Sequence, residues 1–221
     1  MPVRLHRGGR VRAWIGARAG DPSAGDRILR RLFHAAGALV LLVYLLPGDL
    51  FVVLPTRVVL VLALLAILAL EAARLARGVE LPMLRPWEVD ARRPGSYVYF
   101  AVALVVAVLW LPPALGTAVV LGGAWADPLA GILRGRAAPR PVAFGLPALF
   151  YGALATASLA LVGHWVLGAA IGAGLLAGAV GSLVEGPRWR WIDDDLLVVL
   201  VPAVLLAALV ALWPGLPMGS L

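Results

Sequence analysis

The sequence predicts an all-α, polytopic membrane protein of about seven transmembrane helices, with a cytoplasmic N-terminus and an external C-terminus. Three observations carry this. Of the 221 residues 62% are hydrophobic and 14% charged, more apolar surface than a soluble domain of this length can hide. The apolar residues gather into seven stretches, about 31–47, 55–75, 97–112, 114–133, 146–162, 165–184 and 196–213. Each lies near the roughly 17–25 residues that cross a bilayer, allowing for short or tilted spans. Threaded this way, 18 of the 19 basic residues fall on one side and only Arg57 on the other. The positive-inside rule makes the arginine-rich side cytoplasmic.

The chain opens with a polar, basic stretch over residues 1–30, including Arg4, Arg7, Arg10, Arg12, Arg18, Arg27 and Arg30. It has no apolar run before a cleavage site and is expected to be a cytoplasmic tail and not a signal peptide. The membrane domain is expected over 31–213, and residues 214–221 form a short external tail. Short turns at 47–49, 112–113 and 163–164 contain Pro or Gly and join spans on the outer side; longer basic loops join them on the inner side. Trp110, Trp165 and Trp213 suit the outer interface, and Trp87, Trp189, Trp191 and Tyr97 the inner one. Gly168, Gly172, Gly174 and Gly178 in the sixth span make small-xxx-small pairs suited to close helix packing.

Composition excludes several chemistries. Cysteine is absent, which removes disulfides, thiolate metal sites and a cysteine nucleophile. Every basic residue is Arg, so no lysine-based mechanism is open. The net charge of +7 sits in membrane-flanking segments, where topology accounts for it before nucleic acid does. There is no P-loop, no kinase-type glycine loop and no Gly-x-Ser-x-Gly.

Asp127 is the chemically telling residue of the fourth span, in LGGAWADPLAGILRGR at 121–136. A carboxylate inside a membrane segment costs about 2.5–3.5 kcal/mol on insertion scales and so marks a functional site. Pro128 follows it, and Asp-Pro is a helix-start signature, so a kinked or broken helix with Asp127 at the break is expected. Gly123 and Gly131 lie one turn either side and leave room for a neighbouring backbone or ligand. The competing reading is a proline kink whose Asp pairs with an Arg for packing.

Eleven of the 12 acidic residues fall on the inner side, although acids contribute little to orientation. His34 opens the first span, and Glu71 and Arg74 close the second. Arg85 and Glu88 lie in the following loop; Arg134, Arg136 and Arg140 follow Asp127; Glu185 ends the sixth span and Asp193–Asp195 lead into the seventh. Carboxylates from separate helices, with water and phosphate oxygens, are what Mg²⁺ chemistry uses. Nearby arginines suit phosphates. The three consecutive Asp also suit an N-cap and acidic first turn. The three histidines are not spaced as a zinc site.

Several of these pieces stand in the order of a known family. RRLFHAAG at 30–37, EAAR at 71–74, RPWE at 85–88, ADPLAGILRGR at 126–136 and VEGPRWRWIDDDLLVVLVP at 183–202 together resemble the CTP-dependent polyprenol kinase family, which includes dolichol, phytol and yeast-type diacylglycerol kinases. Two positions depart from its pattern. Ala126 replaces a glycine before the Asp, and RPVAFG at 140–145 stands where a Lys-Ser-x-Glu-Gly motif is expected. The resemblance implies a multi-pass membrane enzyme, in the plasma membrane if the cell is prokaryotic, that moves a phosphoryl group from CTP to a long-chain lipid alcohol at the cytoplasmic face. Asp127, Asp194 and Glu71 are then the catalytic candidates, with Asp127 and Asp194 on Mg²⁺ or another divalent cation. His34, Arg85, Glu88, Arg134, Arg140, Glu185 and Asp195 are the candidates for holding the nucleotide, and His34, Glu71, Asp127, Glu185 and Asp194 are expected to converge near the inner interface and line one pocket. A CDP-lipid-forming cytidylyltransferase needs the same nucleotide, metal and membrane; a non-catalytic binding or transport protein is the third reading.

The topology is directly testable. A reporter fused to the C-terminus should be active only outside the cytoplasm; cytoplasmic activity contradicts the seven-span arrangement.

Overall fold

The structure is a computed structural model and describes residues 24–45, 49–51, 54–78, 84, 93–185 and 192–213. These residues are almost wholly helical, as the composition requires. In a hydrocarbon solvent every backbone N–H and C=O must be satisfied within its own segment, which selects helices.

Helix α1 spans Ala24–Ala36 and runs through a 3₁₀ segment, Gly37–Leu41, into the short α2, Leu42–Leu45. The first predicted span is therefore a composite of helix types. A small antiparallel pairing joins β1 (Asp49–Phe51) to β2 (Leu54–Pro55) before α3, Thr56–Arg77. Gly78 ends α3 at φ 65°, a left-handed cap whose N–H donates to the Arg74 carbonyl. Then come α4 (Ser96–Trp110), α5 (Pro113–Gly135), α6 (Arg140–Leu161), α7 (Leu167–Val184) and α8 (Asp194–Leu212). Five of them, α3 and α5–α8, are long and apolar enough to cross a membrane. Helix α4 has 15 residues, about 22 Å at 1.5 Å per residue, short of the ~30 Å hydrocarbon core.

Helix α5 is the hub, in contact with α1, α4, α6, α7 and α8. Its most apolar window is 56% buried inside the bundle, against 11% for α3, so α3 shows most of its apolar surface outward, as a lipid-facing helix does. Tyr151 of α6 fills the centre. Its ring lies against Gly122 of α5 and Gly181 of α7, and its hydroxyl donates to the Val198 carbonyl of α8 at 3.2 Å. Tyr44 seals the far end by donating to the carbonyls of Val108 and Leu111.

Two sequence expectations change here. Asp127–Pro128 does not break its helix: α5 runs continuously from Pro113 to Gly135 with Pro128 inside it, so Asp127 is not an N-cap. Pro147 and Pro202 are likewise interior to α6 and α8. One missing donor per proline costs less in an apolar medium than unwinding a turn and exposing several backbone groups. The glycine run of α7 divides into two faces. A Cβ on Gly174 would lie 2.7 Å from the Gly152 carbonyl oxygen, and one on Gly178 would lie 2.7 Å from the Gly152 nitrogen, so α6 and α7 meet backbone to backbone there. Gly168 and Gly172 have nothing within 4 Å of such a Cβ and play no part in that packing.

Gly178→Leu should therefore force α6 and α7 apart and lower stability by about 1–3 kcal/mol, the range for overpacking. Gly172→Leu should leave the melting temperature nearly unchanged. Equal melting temperatures for the two variants contradict this packing.

Candidate functional site

One end of the bundle collects the ionisable groups. The C-terminal half of α5, the start of α8, the end of α7 and the second half of α1 contribute to it. Helix α1 is amphipathic and lays one face on α5. Its four-residue spacing stacks Arg30 under His34 on that face.

His34 is the centre of the cluster and is 1% exposed. Its Nδ1 lies 3.0 Å from Asp127 Oδ2 of α5, and its Nε2 lies 3.5 Å from Asp195 Oδ2 of α8. Both ring nitrogens are thus ion-paired with a carboxylate, although neither pairing has ideal hydrogen-bond angles. The ring stacks on Phe100 of α4 with centroids 4.4 Å apart, which fixes its plane. Arg30 Nη2 donates to Asp195 Oδ2 at 3.0 Å, while Asp195 Oδ1 is buried and unpartnered. Arg134 pairs with Glu185 across α5 and the end of α7, and Glu185 is also within interaction range of Asp127. Arg31 Nη2 reaches the Gly131 carbonyl at 3.4 Å, and Trp125 Nε1 donates to the Ala35 carbonyl, pinning α1 to α5.

Beside this cluster lies a cavity of about 170 Å³ lined by Arg30, Arg31, His34, Asp127, Pro128, Gly131 and Arg134. A Cβ on Gly131 would meet nothing within 4 Å, so the wall next to Asp127 stays open. Gly123, by contrast, packs against Val199 of α8. Three arginines around one acidic floor make a place for an anion beside carboxylates. Donor atoms of His34, Asp127 and Asp195 lie within 4.8 Å of one another, close enough to ligate one metal ion.

The candidate residues sort as follows. His34, Asp127, Arg134, Glu185 and Asp195 come together. Asp194 makes no ion pair with His34: the carboxylate that does is that of Asp195, 1% exposed, because successive helical residues point about 100° apart. Asp194 stands beside it, its carboxylate within 4.8 Å of those of Asp193 and Asp195, a second group that could hold a metal ion. Asp193 is the N-cap, accepting from the Asp195 N–H at 3.1 Å, so the capping reading of the acidic run holds for that residue. Glu71 is absent from the cavity lining. Its carboxylate accepts from Arg74 Nε at 2.6 Å, Arg74 Nη2 at 2.8 Å, Gly95 N at 2.7 Å and the Tyr97 hydroxyl at 2.6 Å. Arg74 in turn donates to the Arg93 carbonyl. This is a clasp between α3 and the start of α4, with both carboxylate oxygens engaged. Tyr97 meets Phe33 edge to face, so the clasp abuts the site without entering it. Arg140 is exposed at the start of α6 and does not line the cavity. Arg85 and Glu88 lie outside the described residues.

Arg30, Arg31 and Phe100 join the site although none was a candidate site residue; Arg30 and Arg31 had entered only as the opening of the RRLFHAAG motif. The usable signal was the i, i+4 spacing of Arg30 and His34, which a boundary at residue 30 between tail and span hid.

Fold and site together define a multi-pass, all-helical membrane protein with a buried His-carboxylate cluster opening onto an arginine-lined cavity. No family model matches the chain, and no curated protein or solved structure matches it significantly.

Removing Glu71 takes away at once the acceptor that Arg74, Gly95 N–H and the Tyr97 hydroxyl share, breaking a buried pair, a loss of about 3–5 kcal/mol. Glu71→Ala should lower the melting temperature sharply and reduce yield. An unchanged melting temperature contradicts the clasp.

Proposed function

We propose that this protein is an integral-membrane lipid kinase that transfers a phosphoryl group from CTP to a long-chain lipid alcohol, with its site at the cytoplasmic face of a seven-span domain. The observation that carries the proposal is the cavity in which Arg30, Arg31 and Arg134 surround the Asp127 carboxylate, itself in contact with His34 and, through it, with Asp195. Phosphoryl transfer asks little covalent chemistry of a protein; it asks for phosphates held in position and their charge neutralised. Arginines supply flat, bidentate donors for phosphate oxygens. The cavity volume of about 170 Å³ suits the phosphates of a nucleotide more than its base. The CTP donor and the polyprenol-type acceptor rest on the resemblance of the sequence motifs, and the cytoplasmic side rests on the arginine asymmetry.

Asp127 and Asp195, in place of the Asp127–Asp194 pair, are the residues that would hold a divalent cation, and the unpartnered Asp195 Oδ1 fits that role. Such a cation supplies charge neutralisation of the transferring phosphates when bound. Arg30 keeps Asp195 oriented through its Oδ2, and Arg134 is held at the cavity rim by Glu185. The lipid chain would lie along the exposed apolar helix faces, with its hydroxyl at the cavity mouth.

Purified protein incubated with CTP, Mg²⁺ or Mn²⁺ and a panel of lipid alcohols should yield a lipid monophosphate and CDP. A CDP-lipid with pyrophosphate would instead make it a cytidylyltransferase, and no product from any alcohol contradicts the proposal. Asp127→Asn and Asp195→Asn should each lower turnover by about 10²–10³-fold, the scale for removing one preorganised electrostatic contact. Asp194→Asn should keep most of it.

A further inference from the structure

We propose that His34, Asp127 and Asp195 form a three-ligand site for a first-row transition-metal dication, selected over Mg²⁺ and Ca²⁺ by the imidazole nitrogen. The inference builds on the phosphoryl-transfer reading of this cluster and names the class of cation it takes; it needs neither nucleotide nor turnover.

Four features point the same way. The donor atoms, one from each of three separate helices, lie within 4.8 Å of one another. Asp195 Oδ1 is buried and lacks a hydrogen-bond partner; a buried polar atom left so costs about 1–3 kcal/mol, a cost that ligation removes. The surroundings fix the ligands in the manner of an outer shell around a metal. Phe100 stacks on the imidazole at 4.4 Å, and Arg30 holds Asp195 Oδ2 at 3.0 Å while leaving Oδ1 available. Asp127, finally, borders the cavity, so remaining coordination positions open toward water or phosphate oxygens and not toward more protein.

The ligand set decides the metal. Mg²⁺ favours oxygen ligands in a near-ideal octahedron, and Ca²⁺ takes six to eight oxygens. A neutral imidazole with two carboxylates gives one nitrogen and two oxygens, a mixture that suits Mn²⁺, Fe²⁺ and Zn²⁺ better.

The chain has three histidines, which makes the test clean. Untagged protein carrying His6→Gln and His164→Gln retains His34 as its sole imidazole. Titrated with Mn²⁺ and read by electron paramagnetic resonance, it should bind one ion per chain with ¹⁴N coupling in the pulsed spectrum. Excess Mg²⁺ should displace that ion only at much higher concentration. Adding His34→Gln should abolish the ¹⁴N coupling and bring the Mn²⁺ and Mg²⁺ affinities together. If that third substitution prevents folding, the ¹⁴N signal of the double variant decides alone. No bound Mn²⁺, bound Mn²⁺ without ¹⁴N coupling, or equal competition by Mg²⁺ overturns the proposal. Because nothing in the titration involves CTP, bound metal without kinase activity would sink the kinase reading and leave the metal site standing.

Discussion

The contact on which the rest of this structure depends is that of the His34 imidazole with the carboxylates of Asp127 and Asp195. Each of the three residues sits on a different helix, so the cluster fixes α1, α5 and α8 relative to one another at one end of the bundle. Ionisable groups at such depth are expensive unless they are paired. Here the balance is nearly closed: Arg30 meets Asp195, Arg134 meets Glu185, and Phe100 shields the imidazole face. Among the described residues, the buried side-chain atoms without a hydrogen bond belong to His34, whose nitrogens are ion-paired, and to Asp195, whose Oδ1 is not. A packing device would be expected to satisfy its own polar atoms; one that receives a ligand leaves some donors and acceptors for it.

The apolar part of the molecule serves that arrangement. Glycines at 122, 152, 174, 178 and 181 let α5, α6 and α7 approach closely around Tyr151, giving a rigid frame in which α5 is held from several sides. Without a hydrophobic driving force between helices in lipid, such close backbone packing is the available source of cohesion. Helix α1 is held differently. It is short and amphipathic and is tied down by the Trp125–Ala35 and Arg31–Gly131 hydrogen bonds and by the ionic cluster itself. The element that carries His34 is thus the one whose position depends most on polar contacts.

Much of this was legible in the sequence, and the failures have specific causes. Asp127 stood out because a carboxylate in an apolar run needs a reason, and the helical character followed from composition alone. The break expected at Pro128 did not occur, since local proline geometry yields to the need to keep neighbouring backbone groups bonded. Three adjacent Asp could not be told apart by sequence. Which one faces inward depends on how α8 is rotated against α1 and α5, a tertiary fact. Glu71 and Arg74 read as an acidic-basic pair, and they are one. Their recruitment into a clasp rather than a site was set by Gly95 and Tyr97, some 24 and 26 positions further along, which no local pattern reveals. The length of α4 and the 3₁₀ segment after α1 likewise depart from seven uniform spans, so the span count rests on the arginine distribution.

The central claim is that Asp127 belongs to a site that grips nucleotide phosphates with a divalent cation, and differential thermal unfolding tests it most directly. CTP with Mg²⁺ or Mn²⁺ should stabilise the wild-type protein by mass action, by about 2.7 kcal/mol when ligand exceeds its Kd a hundredfold. Asp127→Asn is nearly isosteric but lacks the charge that a cation requires, so the variant should fold and gain little from the same mixture. Equal stabilisation of the two proteins by CTP and metal would contradict the account and put the site around other residues.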